Sequence, residues 1–241
     1  MFNESVQYLR SSTDPVKTIL IGGLLLILSP LLLPVFTVTG YILEVIRRTS
    51  SGNDEPPAFE AWVDTTVDGA KASVIVFVYL VLPALILTIA AAIAAVSVLS
   101  ASSLPPRLAT LSGVVGFGVV VLVGLFGVVI ALAGMYISPA AIAHYADTGR
   151  IRDGFAIRTL WPALVDRTYA MGWLTAAALI IAGGIVSGLV GAIPVAGFIA
   201  AAFVSFYAVV AAYYVIGHTW ADVRPETTMQ DGHTPTEQPA V

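Results

Sequence analysis

The sequence predicts an all-α fold, a multi-pass bundle of transmembrane helices. Hydrophobic residues make up 58% of the 241-residue chain and charged residues only 11%, whereas roughly 25% of residues are charged in an average soluble domain. Mean hydropathy is correspondingly high, at +0.91. Residues 168–221 contain no Asp, Glu, Lys or Arg. As one helix they would extend ~80 Å, far beyond the ~30 Å core of a bilayer, so this stretch predicts two spans.

The first uncharged stretch, residues 18–43, is long enough for one span but contains Pro30 and Pro34. Each proline removes a backbone hydrogen bond and clashes with the preceding turn. We therefore predict helix breaks at both prolines and a kinked first span. The alternative is a re-entrant pair of half-helices that enter and leave the membrane by one face, as broken helices do in some transporters.

Four further spans follow the first. The second covers residues 74–99, with a bend near Pro83, and the third covers residues 111–137. The last two cover residues 169–190 and 195–216, separated by a helix break at Pro194. We thus expect about five spans in one integral membrane domain, residues 1–221. After it the composition changes to Pro, Thr, Gln, Glu and Gly, which predicts a disordered acidic polar tail over residues 222–241.

The positions of the cations indicate how the chain is oriented, because Lys and Arg in short loops stay on the cytoplasmic side. With five full spans, eight cations share the side of the tail and three lie opposite. With a re-entrant first segment the ratio becomes ten to one, which slightly favours that alternative. Both arrangements predict a cytoplasmic C-terminus, and we expect the protein in the cell membrane.

Residues 54–71 form the first polar stretch, and helical spacing gives it two faces. A helix that starts at Pro57 would place apolar residues on one face and Asp64 and Asp68 on another. One hypothesis makes the two carboxylates a cation site. We favour a solvated face on which Lys71 neutralises Asp68. The candidate contacts to lipid or to a partner in this stretch are its two aromatic residues, Phe59 and Trp62.

The second polar stretch, residues 147–168, carries four arginines among apolar residues at helical spacing. This pattern is typical of a helix that lies in the membrane interface with its arginines on lipid phosphates. Arginines that only set the topology would give a similar pattern. The candidate contacts to lipid headgroups or to a partner are Arg150, Arg152, Arg158, Trp161 and Arg167. Together the two polar stretches predict two interfacial amphipathic helices.

The predicted spans contain no charged side chain, although transporters and pumps usually carry ionisable groups there. Gly184 and Gly188 form a Gly-x-x-x-Gly pair, which predicts close helix packing. The sequence has no metalloprotease, serine hydrolase or P-loop motif and no Cys. We therefore predict no catalytic residue, no cofactor and no metal site. A net charge of −4 also argues against a nucleic-acid partner.

Several short motifs stand in order along residues 5–220. They are Gly40-Tyr41, Arg47-Arg48, Pro56-Pro57-x-Phe59-x-x-Trp62, Asp68-Gly69-x-Lys71, Tyr136-x-x-Pro139 and Gly149-x-Ile151-x-Asp153-Gly154-Phe155. This set resembles the archaeal membrane family called domain of unknown function 4013. The resemblance implies a multi-pass membrane protein, commonly from salt-loving archaea, and carries no catalytic residue over to this chain. The acidic, Lys-poor composition fits that origin and also fits a high-GC bacterium.

These observations predict an integral membrane protein that is not an enzyme, a scaffold or accessory protein that contacts lipid headgroups or a partner. Its expected partners are membrane lipids, with another membrane protein or a second copy of the chain as alternatives. The alternative function is a small permease or channel for a neutral or amphiphilic solute, because proline-broken helices expose backbone carbonyls. A third alternative, a membrane-embedded lipid-modifying enzyme, rests only on the acidic face of residues 60–68.

Overall fold

The computed structural model describes residues 2–11, 14–101 and 103–225. Within these ranges the chain forms helices, turns and loops and no strand. From residue 226 onwards, the predicted disordered tail lies outside the described residues. The helices are α1 (Phe2–Tyr8), α2 (Pro15–Ile27), α3 (Leu33–Ser50), α4 (Trp62–Ala101), α5 (Pro106–Thr148), α6 (Ile157–Leu164), α7 (Arg167–Gly191) and α8 (Ala196–Val223).

Four of these helices, α4, α5, α7 and α8, are long and apolar enough to cross a membrane. They contain the second to fifth predicted spans, so the prediction of a multi-pass helical membrane protein is confirmed. Pro83, near which a bend was predicted, lies inside α4, and the helix continues through it as one element. Pro194 lies in the turn between α7 and α8.

The first apolar segment is interrupted at its prolines. α2 ends at Ile27, Pro30 lies in a 3₁₀ turn over Ser29–Leu31, and Pro34 lies in the first turn of α3. Leu32, between the turn and α3, has a φ of 63°, a conformation that residues with a Cβ rarely adopt. The segment is therefore two short helices joined by a tight turn rather than one kinked span.

α2 and α3 form a hairpin that returns to the end from which it started. The ring of Tyr8, before α2, packs 4.4 Å from that of Tyr214 on α8, and Gly23 of α2 faces Phe203. α3 then runs back along α8 until its last turn faces Gly217. The structure therefore has four candidate spans and a helical hairpin, as the re-entrant alternative predicts, because the turn at the prolines reverses the chain.

The main hydrophobic core lies at one end of the molecule, beside the open end of this hairpin. It is formed by the last turns of α3, α5 and α8, the inner face of α6 and the start of α7. Its largest fully buried side chains include Trp220, Tyr41, Tyr145, Tyr169 and Phe206. Away from this end, the outer faces of α4 and α5 are exposed and apolar, as expected of helices surrounded by lipid.

α7 and α8 pack against each other through small residues. Gly183 of α7 faces the methyl group of Ala208 on α8. Gly184 and Gly188, which were predicted to pack helices, are exposed and have nothing near them in the described chain. Neighbouring helical residues point ~100° apart, and α7 turns the face of Gly183 towards α8 because Ala176 and Leu179 are buried on that same face.

α3 packs closely against the first turns of α4. Gly40 of α3 lies against the backbone of Thr65, and Gly69 of α4 lies against the backbone of Phe36. Glycine allows this approach because no Cβ separates the two helices. The contact holds the returning half of the hairpin against the first full span.

We expect Gly69→Ala to destabilise the protein, because the added Cβ would collide with the backbone carbonyl of Phe36. The expected loss is about 1–3 kcal/mol of the free energy of unfolding, the usual cost of overpacking. Thermal unfolding in detergent, followed by circular dichroism, measures it. Gly184→Ala is the matched control and should be neutral or stabilising, since its site is open and Ala favours helix. Equal stability of the two variants would contradict this contact.

Candidate interfacial site

Arg47, in the last turns of α3, joins three helices at the polar end of the molecule. Its Nη1 lies 2.9 Å from Oδ2 of Asp68 on α4, and its Nε donates to the carbonyl of Ala146 on α5 at 3.2 Å. Lys71 Nζ lies 3.0 Å from the other oxygen of Asp68. The Asp68 carboxylate is therefore held by two cations, and both of its oxygens are used.

Asp68 is one of the two carboxylates of α4 for which a cation site was one hypothesis. The structure shows the Asp68–Lys71 pair that the sequence indicated, but the contact of Asp68 with Arg47 had no local signal because the two residues belong to different helices. Asp64 is exposed one turn earlier. Among the described residues, no group of three or more His, Asp or Glu side chains could hold a metal ion.

The loop between α3 and α4 folds against α8. His218 Nε2 lies 3.0 Å from the Asp54 carboxylate, and Pro56 and Pro57 are buried. The helix predicted to start at Pro57 begins instead at Trp62 and is continuous with α4. The two prolines are buried, and the chain forms no helix between them and Trp62. This stretch therefore forms no separate interfacial helix.

The two aromatic residues of this loop have different environments. Phe59 is half-buried and stacks on Tyr41 with ring centroids 4.4 Å apart. Trp62 stacks on the outer side of Phe59 at 5.4 Å and is 44% exposed. Trp62 is available to lipid or a partner, whereas Phe59 mainly links the loop to α3.

The chain after α5 turns back along the outside of α4 and α5. Gly149 ends α5 with a φ of 66°, and its N–H donates to the Tyr145 carbonyl. A 3₁₀ turn, Ile151–Phe155, follows and is anchored by Tyr79, whose hydroxyl donates to the Gly154 carbonyl at 3.0 Å. The phenyl ring of Phe155 stacks on the Tyr79 ring at 5.8 Å. The segment is thus fixed to the side of the bundle.

Within this turn, Asp153 pairs with both neighbouring arginines. Its carboxylate lies 2.8 Å from Arg150 and 3.6 Å from Arg152. Burial acts to raise the pKa of Asp153, but the hydrogen bonds from Arg150 and Thr148 and the two positive charges outweigh it and lower that pKa. The Asp153 carboxylate partly neutralises these two arginines, although both side chains remain largely exposed.

Helix α6 has three distinct sides. Leu160, Ala163 and Leu164 are buried against the bundle. One exposed side carries an apolar stripe with a spacing of four residues, and the stripe consists of Ile157, Trp161 and Val165, which are 37%, 60% and 61% exposed. Arg158 is exposed beside this stripe and forms no ion pair with the described residues. α6 is the second of the two predicted interfacial helices.

A group of aromatic residues fixes α6 and the start of α7 to α5. The Tyr136 hydroxyl donates to the Leu164 carbonyl at 2.7 Å, and the Tyr169 hydroxyl donates to the Tyr136 carbonyl at 2.7 Å. Trp173 Nε1 donates to the Met135 carbonyl at 3.1 Å. Tyr and Trp gather at membrane–water boundaries, so these contacts indicate the level of the membrane interface.

Helix α7 begins with a side-chain cap next to an exposed arginine. Asp166 accepts a hydrogen bond from the backbone N–H of Thr168 at 2.6 Å. This bond lowers the pKa of Asp166, since it favours the ionised form. Arg167 is exposed and, like Arg158, forms no ion pair with any described residue. The predicted arginines thus divide into a paired set, Arg150 and Arg152, and an unpaired set, Arg158 and Arg167.

Two polar clefts open at this end, and Arg47 lines both. The larger, about 870 Å³, lies between the ends of α3, α5 and α8 and includes Arg150 and Arg224. The smaller, about 280 Å³, lies between α3 and α4 and includes Glu60 and Asp64. Since Arg47 is bonded to Asp68 between them, the clefts are separate surfaces of one charged end.

A family model described as "Protein of unknown function (DUF4013)" matches residues 23–217. This match covers most of the chain, including the re-entrant hairpin from Gly23 onwards, all four spans and the arginine segment. It confirms the resemblance drawn from the short motifs. No curated protein and no solved structure matches the chain.

We expect Asp68→Asn to destabilise the protein, because it leaves Arg47 beside a neutral partner where α3, α4 and α5 meet. Contacting residues of this kind couple by ~0.5–3 kcal/mol. A double-mutant cycle of Asp68→Asn with Arg47→Met, followed by thermal unfolding in detergent, measures the coupling. Asp64→Asn is the control, as Asp64 is exposed and forms no ion pair with the described residues. A coupling near zero would mean that the contact contributes nothing to stability.

Proposed function

The chain belongs to the DUF4013 family, and from this premise we propose that it is a non-enzymatic integral protein of the cell membrane. It serves as a scaffold or accessory protein whose arginine segment, residues 150–167, contacts anionic lipid headgroups. The family description names no activity, and the geometry of the polar end supports this role.

The observation that carries the proposal is the exposed apolar stripe of α6 next to Arg158. An exposed Trp161 at 60% and Val165 at 61% would be unfavourable in water. Both are suited to the boundary between headgroups and acyl chains, where an amphipathic helix buries its apolar side by ~5–10 Å. In that position Arg158 and Arg167 reach the level of the lipid phosphates.

The charge distribution supports a cytoplasmic polar end. With the re-entrant hairpin, ten of the eleven cations lie on one side and Arg107 lies on the other. This asymmetry is what the positive-inside rule expects of the cytoplasmic face. Anionic lipids of that leaflet attract Lys and Arg near the surface by ~1 kcal/mol each. The proposed orientation therefore places the unpaired arginines next to the lipids they would bind.

The roles of four carboxylates at the polar end support a function without catalysis. Asp68 is bonded to two cations, Asp153 to two arginines, and Asp166 caps α7. Asp147 accepts a hydrogen bond from Trp220 Nε1 at 2.6 Å. Each of these groups has a structural partner, whereas general acid–base catalysis needs a carboxylate directed at a substrate.

We expect the double variant Arg158→Gln, Arg167→Gln to lose its preference for anionic lipid. The protein is reconstituted into vesicles of equal phosphatidylglycerol and phosphatidylcholine and extracted with its surrounding lipid by styrene–maleic acid copolymer. The ratio of the two lipids is then measured. The unaltered chain should be enriched in phosphatidylglycerol, and the variant should approach the vesicle composition, because each arginine contributes ~1 kcal/mol at an anionic surface.

Arg107→Gln is the matched control, since Arg107 lies at the opposite end of the spans. It should leave the enrichment unchanged. Equal enrichment in the unaltered chain and the double variant would reject the lipid-contact proposal. If a protein co-purified in stoichiometric amount and was lost with the double variant, the same surface would be assigned to that partner instead.

A second candidate function, a small permease or channel for a neutral or amphiphilic solute, is favoured by the re-entrant hairpin. The chain leaves helical geometry around Leu32, and the residues at the tip, Leu31 to Leu33, are about two-thirds exposed. Backbone at such a break is able to bind a solute without charged side chains. In this arrangement the hairpin tip would form part of a pathway across the membrane.

Single cysteines at positions 28–36 separate the two functions, since the chain has no other Cys. With a lipid-contact function we expect them to resist a membrane-impermeant maleimide from both faces, because the tip then lies among apolar side chains and lipid. Cysteines at positions 52 and 53, in the exposed loop after α3, are the positive control. Rapid labelling of the tip from either face would favour the permease.

A further inference from the structure

A groove runs between the α4–α5 hairpin and the α7–α8 hairpin, and Trp173 of the aromatic group lines it. Its volume is about 340 Å³, within the range of ~300–1,000 Å³ that is usual for ligand pockets. Met135 and Trp173 line the groove at one level, and Ala176, Ala177 and Ile180 of α7 form one wall. All of its lining residues belong to the four candidate spans.

The walls of this groove suit a hydrocarbon chain. The indole N–H of Trp173 is already bonded to the Met135 carbonyl, so that ring presents an apolar surface to the groove. α5 and α8 contact each other and both line the groove. This leaves room for a chain but not for a partner helix, which is ~10 Å across.

Two hydroxyl groups interrupt the apolar lining. Ser138 of α5 and Tyr213 of α8 both line the groove, and neither hydroxyl forms a hydrogen bond with any described residue. A hydroxyl without a partner in apolar surroundings is unfavourable. Ser138 lies two residues from Tyr136, whose hydroxyl bonds α6. The Ser138 hydroxyl is therefore close to the level of the interface, where the ester oxygens of a lipid lie, and Tyr213 lines the same groove.

We propose that this groove holds one phospholipid. One of its acyl chains lies between the two hairpins, its ester carbonyl accepts hydrogen bonds from Ser138 and Tyr213, and its phosphate lies beside Arg158 and Arg167. This inference rests on the proposed function and deepens it. It assigns one lipid molecule to a defined site, whereas the proposed function requires only a general attraction to the headgroup layer.

Native mass spectrometry of the detergent-purified chain with added phosphatidylglycerol tests the proposal. The unaltered chain should retain one molecule more tightly than any other. Ala177→Phe places a ring in the groove and should weaken that binding at least tenfold. Ala178→Phe is the matched control, because Ala178 is exposed on the same helix and does not line the groove. Equal binding by the two variants would overturn the proposal.

Ser138→Ala and Tyr213→Phe keep the test decisive even if Ala177→Phe fails to fold, because each removes only an oxygen atom. Each variant should weaken the affinity for the retained lipid by about two- to tenfold, the usual effect of losing one hydrogen bond. Unaltered affinity in both variants would overturn the proposal. If Arg158→Gln with Arg167→Gln abolished the phosphatidylglycerol preference while Ala177→Phe kept the bound molecule, the groove would be rejected and the headgroup contact would stand.

Discussion

The position of α3 is the constraint on which the rest of the structure depends. A helix interrupted by Pro30 and Pro34 cannot span a bilayer alone, because backbone groups at the break lack partners in lipid. The protein places the returning half between two full spans: Gly69 lets α4 approach on one side, and Gly217 lets α8 approach on the other. Arg47 then joins the end of α3 to α4 and α5. The neighbouring spans thus hold the re-entrant segment in place, and the segment in turn links those spans to each other.

One consequence is that the core is concentrated towards the charged end of the spans. The largest buried side chains collect where α3, α5, α6 and α8 meet, at the charged end. In water such a core is stabilised by the hydrophobic effect, whereas inside lipid helices associate mainly by close packing of small residues. The two hairpins are therefore joined firmly at one end and lie apart beyond it. The groove at their junction follows from this division.

The sequence was sufficient for features that depend on local composition. Long uncharged stretches predicted α4, α5, α7 and α8, and the prolines predicted the breaks in the first segment and before α8. The reversal of the chain after Leu32 was harder to predict from the sequence, since it depends on contacts of the first helices with α8, more than 150 residues away. Gly183 faces α8 whereas its neighbour Gly184 does not. Helical periodicity alone does not determine which side of α7 turns towards α8. The Arg47–Asp68 pair and the placement of the Ser138 and Tyr213 hydroxyls in one groove arise from tertiary contacts and leave no local pattern.

The interfacial helix and the groove are mechanically connected through Tyr136. Its hydroxyl holds the last carbonyl of α6, and its ring contacts Trp173, which lines the groove. In the proposed arrangement an acyl chain in the groove would contact Trp173 and a headgroup at Arg158 would contact α6, and both of these elements contact Tyr136. Rigid aromatic side chains transmit such contacts because packed interiors leave little free space. A lipid that satisfies both ends would therefore fix α6 relative to α5 more firmly than either contact alone.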